Sequence, residues 1–156
     1  MRVGVFALQG DVREHLQLLT SLGVESIEVR NAEQLATVDG LIIPGGESTT
    51  ISKLIDIFEL RDDLLKYISS GNPVYGTCAG MIMLASEVLD AASGQQSLKA
   101  MDISVRRNAF GSQLDSFEAS VEFAGRSVDA AFIRSNSCRR TRQFASHLVP
   151  SRTYWG

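Results

Sequence analysis

Cys78 sits at the centre of Gly76-Thr77-Cys78-Ala79-Gly80, between an apolar run at Pro73-Val74-Tyr75 and another at Met81-Ile82-Met83-Leu84-Ala85. A strand that turns abruptly into a helix leaves no room for side chains beside the turn, so small residues flank the apex and the apex residue is pushed into solvent. Gly76 and Gly80 meet that requirement. Backbone N–H groups at the start of the helix favour an anion, which makes Cys78 a candidate nucleophile. The competing explanation is packing, since cysteine is among the most buried residue types and glycine neighbours suit a crowded core.

A second candidate stretch is Pro44-Gly45-Gly46-Glu47-Ser48-Thr49-Thr50, directly after the apolar Gly40-Leu41-Ile42-Ile43. Two glycines at the end of a strand let backbone N–H groups point at a ligand, and Ser48, Thr49 or Thr50 can cap the helix that follows. An ordinary turn with a cap would read the same way. Two arginines close strand-like runs: Arg107 after Asp102 and Arg134 after Val128 to Ile133. Each is either a solvated strand end or, facing a cleft with the other, part of a grip on a carboxylate.

The elements that must hold these residues alternate. Val3 to Leu8 reads as a strand buried on both faces. Asp11 and Glu14 resemble a capping box for a helix whose apolar face is Val12, Leu16, Leu19 and Leu22, ending at Gly23. Further strands are expected at Ser26 to Val29, Gly40 to Ile43 and around Val74, with a short helical turn from Asn31 to Val38. Ile51, Leu54, Ile55 and Phe58 begin an apolar helical face that Leu60, Leu64, Leu65 and Ile68 continue up to Gly71. After the elbow come a polar loop from Ala91 to Ser97, a strand from Asp102 to Arg107, an alternating strand from Phe117 to Phe123, a turn at Gly125 and a strand from Val128 to Ile133. The pattern predicts an α/β fold in three layers, a mostly parallel sheet with helices on both faces. In such folds ligands bind at the C-terminal ends of the strands. The Gly45-Gly46 turn and Cys78 both fall at such ends, so the pattern predicts one crevice. No dinucleotide or phosphate-loop pattern is present.

The chain has 156 residues, 44% hydrophobic and 21% charged, which suits one domain with a substantial core. No apolar run approaches a membrane span, and no signal-peptide zones precede Val3, so a cytoplasmic protein without membrane contact is expected. Cys78 and Cys138 are expected to stay unpaired. Charge divides unevenly: residues 1–134 hold all 18 acids and 11 of the 15 bases, for a net charge of 11 − 18 = −7, whereas residues 135–156 hold four arginines and no acid. The acidic body argues against nucleic acid. The composition predicts a domain over residues 1–134 and a divergent, basic, disordered tail over 135–156.

Gln9-Gly10-Asp11, Pro44-Gly45-Gly46-Glu47-Ser48-Thr49, Gly76-Thr77-Cys78-Ala79-Gly80, Arg107-Asn108-Ala109-Phe110-Gly111 and Phe132-Ile133-Arg134, in this order, closely resemble one family. It is the glutaminase subunit of the two-component pyridoxal 5′-phosphate synthase, within the flavodoxin-like class I glutamine amidotransferases. The resemblance implies that Cys78 attacks the side-chain amide of L-glutamine, giving a thioester and ammonia. It implies an oxyanion hole at Gly46 and Ala79, and glutamine contacts at Gly46, Glu47, Ser48, Arg107, Ile133 and Arg134. It implies no cofactor or metal. The implied partner is the barrel-shaped synthase subunit, which receives the ammonia and lies near Gln9-Gly10-Asp11 and the following helix, with His15 facing it rather than Cys78.

After Arg134 the family pattern continues with further strands and a His-Pro-Glu segment that supplies the base and its orienting carboxylate. Here Ser135-Asn136-Ser137-Cys138-Arg139-Arg140 follows instead, and the residue two after His147 is Val149. This predicts a sheet lacking its last strands, a truncated or frame-shifted end, and impaired hydrolysis, because nucleophile and base act as a unit. One alternative is a non-catalytic remnant that binds glutamine or the synthase. Another is a thiol hydrolase or redox sensor on a similar sheet.

Overall fold

The computed structural model of the chain describes residues 1–107, 117–123, 125–132 and 137–140. Val5, Phe6, Leu41 and Ile43 are buried almost completely, as expected for central strands covered on both faces. They belong to β1 (Arg2–Phe6) and β3 (Gly40–Ile43), which lie side by side between β2 (Glu25–Val29) and β4 (Val74–Gly76). The order is β2-β1-β3-β4 and every pairing is parallel, with Val5 opposite Glu28 on one side and Ile42 on the other.

That order reverses direction at β1. The chain steps outward from β1 to β2 through α1 (Val12–Ser21), then crosses back through α2 (Ala32–Leu35) to β3. It continues outward through α3 (Ser48–Ile57) and α4 (Arg61–Ser69) to β4. Right-handed crossovers in opposite directions put their helices on opposite faces of the sheet. The packing agrees: Leu35 of α2, Ile51 and Ile55 of α3 and Leu64 and Tyr67 of α4 share one buried cluster with Phe6 and Ile43. Leu19, the buried residue of α1, is outside that cluster. The reversal places the C-terminal ends of β1 and β3 around a crevice, the usual ligand position in such sheets.

Several local expectations are corrected. The apolar face from Ile51 to Ile68 is two helices, because Glu59 takes a positive φ of 56° and Leu60 N–H bonds back to the Ile55 carbonyl. Phe58 and Leu22, expected on core faces, are instead 55% and 67% exposed. Asp11 makes no side-chain cap to α1, so the capping box is not formed. The helix after the elbow, α5 (Ala79–Leu84), stops one residue earlier than its apolar run, because Ala85 begins an unforeseen strand, β5 (Ala85–Val88). β5 pairs in parallel with β6 (Met101–Arg106), and Ser86 Oγ donates to the Ile103 carbonyl at 3.0 Å.

β7 (Phe117–Phe123) and β8 (Arg126–Phe132) form the antiparallel hairpin that the alternating pattern and Gly125 imply. Within the segment read as a tail, Ser137–Arg140 forms β9, antiparallel to β6. The backbone of β6 offers a row of donors and acceptors on the side away from β5, and β9 satisfies them. Ser137-Cys138-Arg139-Arg140 has no apolar run of the kind that marks Gly40 to Ile43, so this strand left no sign in the sequence. Among the described residues no helix is long and apolar enough to cross a membrane.

Ile55 is fully buried whereas its helix neighbour Ile57 is 64% exposed. Ile55→Ala is expected to lower the unfolding free energy by about 2–5 kcal/mol, and Ile57→Ala to change it by no more than about 0.5 kcal/mol, as measured by urea titration.

Candidate active site

The elbow is shaped by backbone crowding at two glycines. A Cβ on Gly76 would lie 2.5 Å from the Gly80 carbonyl carbon and 2.7 Å from the Met81 nitrogen, and a Cβ on Gly80 would run into the Ile43 carbonyl. Strand β4 therefore passes into α5 with no side chain on either side, as the sequence implied. Thr77 N–H bonds to the Ile43 carbonyl at 3.1 Å, and Gly80 N–H to the Thr77 carbonyl at 2.8 Å, which fix the turn to β3. At its apex Cys78 is exposed and holds φ 47° and ψ −104°. A positive φ is costly for a residue with a Cβ and persists only where the surroundings impose it. Cys78 is thus an apex residue and not core packing.

The turn after β3 interlocks with the turn after β1. Asp11 N–H donates to the Gly45 carbonyl at 3.0 Å, and Glu47 N–H donates to Gln9 Oε1 at 3.0 Å. A Cβ on Gly10 would strike the Gly45 carbonyl, and one on Gly46 would lie 2.5 Å from Gln9 Oε1. Gly10 and Gly46 also have positive φ, 110° and 150°. A Cβ on Gly45 would sit 3.5 Å from Cys78 Cβ and 2.7 Å from Asp11 Oδ2. The Gly45-Gly46 turn thus lies beside the Cys78 Cβ, with the Asp11 carboxylate against the same glycine.

Glu47, not Ser48, Thr49 or Thr50, caps α3. Its Oε1 accepts from Thr49 N at 3.1 Å, and its Oε2 accepts from Thr50 N at 2.6 Å and Thr50 Oγ1 at 2.9 Å. A long carboxylate can cap here because Glu47 has extended backbone, φ −108° and ψ 110°. Arg107 reaches the same carboxylate, with Nη2 to Oε1 at 3.2 Å, across 60 residues of sequence. Burial alone would raise the Glu47 pKa, but the hydrogen bonds from Thr50 and Thr49 outweigh it and hold the carboxyl below its ordinary value of 4.5. Ser48 is buried and its oxygen accepts from Gln95 Nε2 at 3.1 Å, while Gln95 Oε1 accepts from Arg107 Nη1 at 2.8 Å.

Gly45 and Cys78 thus meet at the ends of β3 and β4, and Glu47, Ser48 and Arg107 are joined by hydrogen bonds at the start of α3. Ile133 and Arg134 lie outside the described residues, as do Asn108 to Gly111 and His147. His15 Nε2 is 3.1 Å from Thr77 Oγ1, so α1 brings this ring to the residue before Cys78. Gln95 was not foreseen, because a small polar loop carries no periodicity to single it out. Gln9 and Asp11 were visible as a motif, without their contact to the glycine turn.

The model of the SNO glutamine amidotransferase family matches residues 5–148. A "Pyridoxal 5′-phosphate synthase subunit PdxT" from Salinispora tropica is 60% identical over 123 residues, covering 79% of this chain and 61% of that protein. One from Rhodococcus opacus is 56% identical over 136 residues, covering 85% of this chain and 67% of its own. This chain thus spans about three fifths to two thirds of the length of these relatives. A crystal structure of a glutamine amidotransferase, 46% identical, matches 88% of this chain and 74% of its own with a TM-score of 0.78. A Listeria monocytogenes protein described as a putative peptidase E, 15% identical with a TM-score of 0.56, shares the fold alone.

Because its folded-state pKa is lowered, Glu47 contributes stability that is complete above about pH 4.5 and is lost as pH falls through the folded value. Chemical denaturation from pH 7 to pH 3 is expected to show Glu47→Gln less stable than the parent at neutral pH, with the gap closing in acid. An equal gap at both ends would contradict the assignment.

Proposed function

We propose that this chain, which belongs to the SNO glutamine amidotransferase family, binds L-glutamine in the crevice between the Gly45-Gly46 turn and the elbow and uses Cys78 as its nucleophile. The observation that carries the reading is the strained, exposed Cys78 beside a glycine turn, 3.5 Å from a Cβ position at Gly45. Cys78 Sγ attacks the side-chain amide carbon of glutamine, and the negative charge on the amide oxygen is received by the backbone N–H groups of Gly46 and Ala79. Collapse of this intermediate, with the thiol's proton passing to the departing nitrogen, breaks the C–N bond and releases ammonia. Water then attacks the thioester, giving glutamate and restoring the thiol.

Glu47, Ser48 and Arg107 supply complementary charges for the amino-acid end of the substrate, a carboxylate for its ammonium and a guanidinium with a hydroxyl for its carboxylate. Ile133 and Arg134 are proposed to complete this subsite. The relatives named as pyridoxal 5′-phosphate synthase subunits support a synthase partner that takes the ammonia. A cytoplasmic location follows from the same reading.

The test is labelling of Cys78 by a diazo-ketone analogue of glutamine, with the synthase subunit present and glutamate release followed in the same sample. Labelling blocked by Cys78→Ser and by excess L-glutamine is expected. Glutamate release alongside labelling makes the chain a hydrolase, and labelling without release makes it the glutamine-binding remnant. Absence of labelling, with Cys78 still open to iodoacetamide, overturns the glutamine site.

A further inference from the structure

Gln95 lies in the connection between β5 and β6, outside every motif that identifies the site, yet its carboxamide touches two of the site's residues. Oε1 accepts from Arg107 Nη1 at 2.8 Å and from Ala92 N at 3.3 Å, and Nε2 donates to Ser48 Oγ at 3.1 Å. The orientation of the amide is set by its partners: a guanidinium and a backbone N–H can only donate, so oxygen must face them and nitrogen must face Ser48.

The connection itself is fixed on both sides of Gln95. Gln95 N–H closes a turn on the Ala92 carbonyl at 3.0 Å. The fully buried Ser52 of α3 exchanges bonds with Gln96, accepting from its N–H at 2.9 Å and donating to its carbonyl at 3.0 Å. Leu98 is buried in the main core, with its N–H on the Met83 carbonyl at 2.6 Å. The amide is thus held between Ser48 of α3 and Arg107 just past β6, on a connection that is itself pinned to α3 and α5.

This arrangement has a chemical consequence for Ser48. A hydroxyl has one proton and accepts through its oxygen. With the oxygen of the buried Ser48 accepting from Gln95, its proton is left to donate elsewhere. Arg107, aimed by the same carboxamide, offers only donors. Resting on the glutamine reading above, we infer that Gln95 is a positioning residue that sets Ser48 and Arg107 as a matched pair of donors for the α-carboxylate of the bound amino acid. Glutamate in its place would accept from Ser48 as well as from Arg107. It would turn the serine proton away from the ligand and offset the guanidinium charge.

The test compares the full chain with Gln95→Ala and Gln95→Glu using three reagents on Cys78: the diazo-ketone analogue, its α-carboxyl methyl ester, and iodoacetamide. For the analogue, Gln95→Ala is expected to weaken the concentration dependence of labelling about tenfold, with the maximal rate unchanged, and Gln95→Glu to weaken it further. With the ester, which has no α-carboxylate, the three proteins should differ far less. Iodoacetamide should alkylate all three at one rate.

Equal concentration dependence for the analogue in all three proteins overturns the assignment. So does a parallel loss toward iodoacetamide, which would mark Gln95 as a support of the fold alone, or an undiminished loss toward the ester. Failure of the analogue on the parent chain, with iodoacetamide still reacting, overturns the glutamine reading and this inference with it. Labelling of the parent with no effect of Gln95 substitution overturns only the inference.

Discussion

At the cleft, backbone packs against backbone at distances that admit no side chain. α5 is pressed onto the last carbonyl of β3 at Gly80, and β4 onto the first turn of α5 at Gly76. Parallel strands ending at one level bring three turns into reach of one another, but only glycines let them touch. From that contact follow the exposed apex at Cys78, its positive φ and the adjacency of the thiol to Gly45. The elbow is therefore a property of how the strand ends pack, with the cysteine as its occupant.

A second layer of order is polar. Glu47 caps α3 and pairs with Arg107, joining residues from opposite halves of the chain. Gln95 joins the same arginine to Ser48. In water, half-exposed ion pairs contribute little, but each member here is also held by neutral hydrogen bonds to rigid elements, so the geometry is set in advance of any ligand. Such preorganisation lowers the ordering cost of binding.

The sequence made the framework legible where burial and crowding leave strong marks. Val5, Phe6, Leu41 and Ile43 announced central parallel strands, and Gly76, Cys78 and Gly80 announced the elbow, because each of those positions tolerates very few residue types. Marks were faint where a position depends on what lies across the fold. Asp11 looks like a cap in sequence and instead lays its carboxylate against Gly45. Glu47 looks like a ligand contact and also caps a helix, since a carboxylate two or three residues before free N–H groups serves that purpose when the backbone is extended. His15 shows no local sign that α1 turns it toward Thr77, and β5 and β9 lack the continuous apolar run that marks β3.

The interlocking of the first two turns constrains how such a protein drifts through mutation. Gly10 abuts the carbonyl of Gly45, and Gly46 abuts the side chain of Gln9, so the four positions form one mechanical unit drawn from two distant parts of the chain. A side chain at Gly10 would have to displace the Gly45 carbonyl, and one at Gly46 the Gly10 backbone as well as the Gln9 amide, so a substitution in either turn is felt in the other.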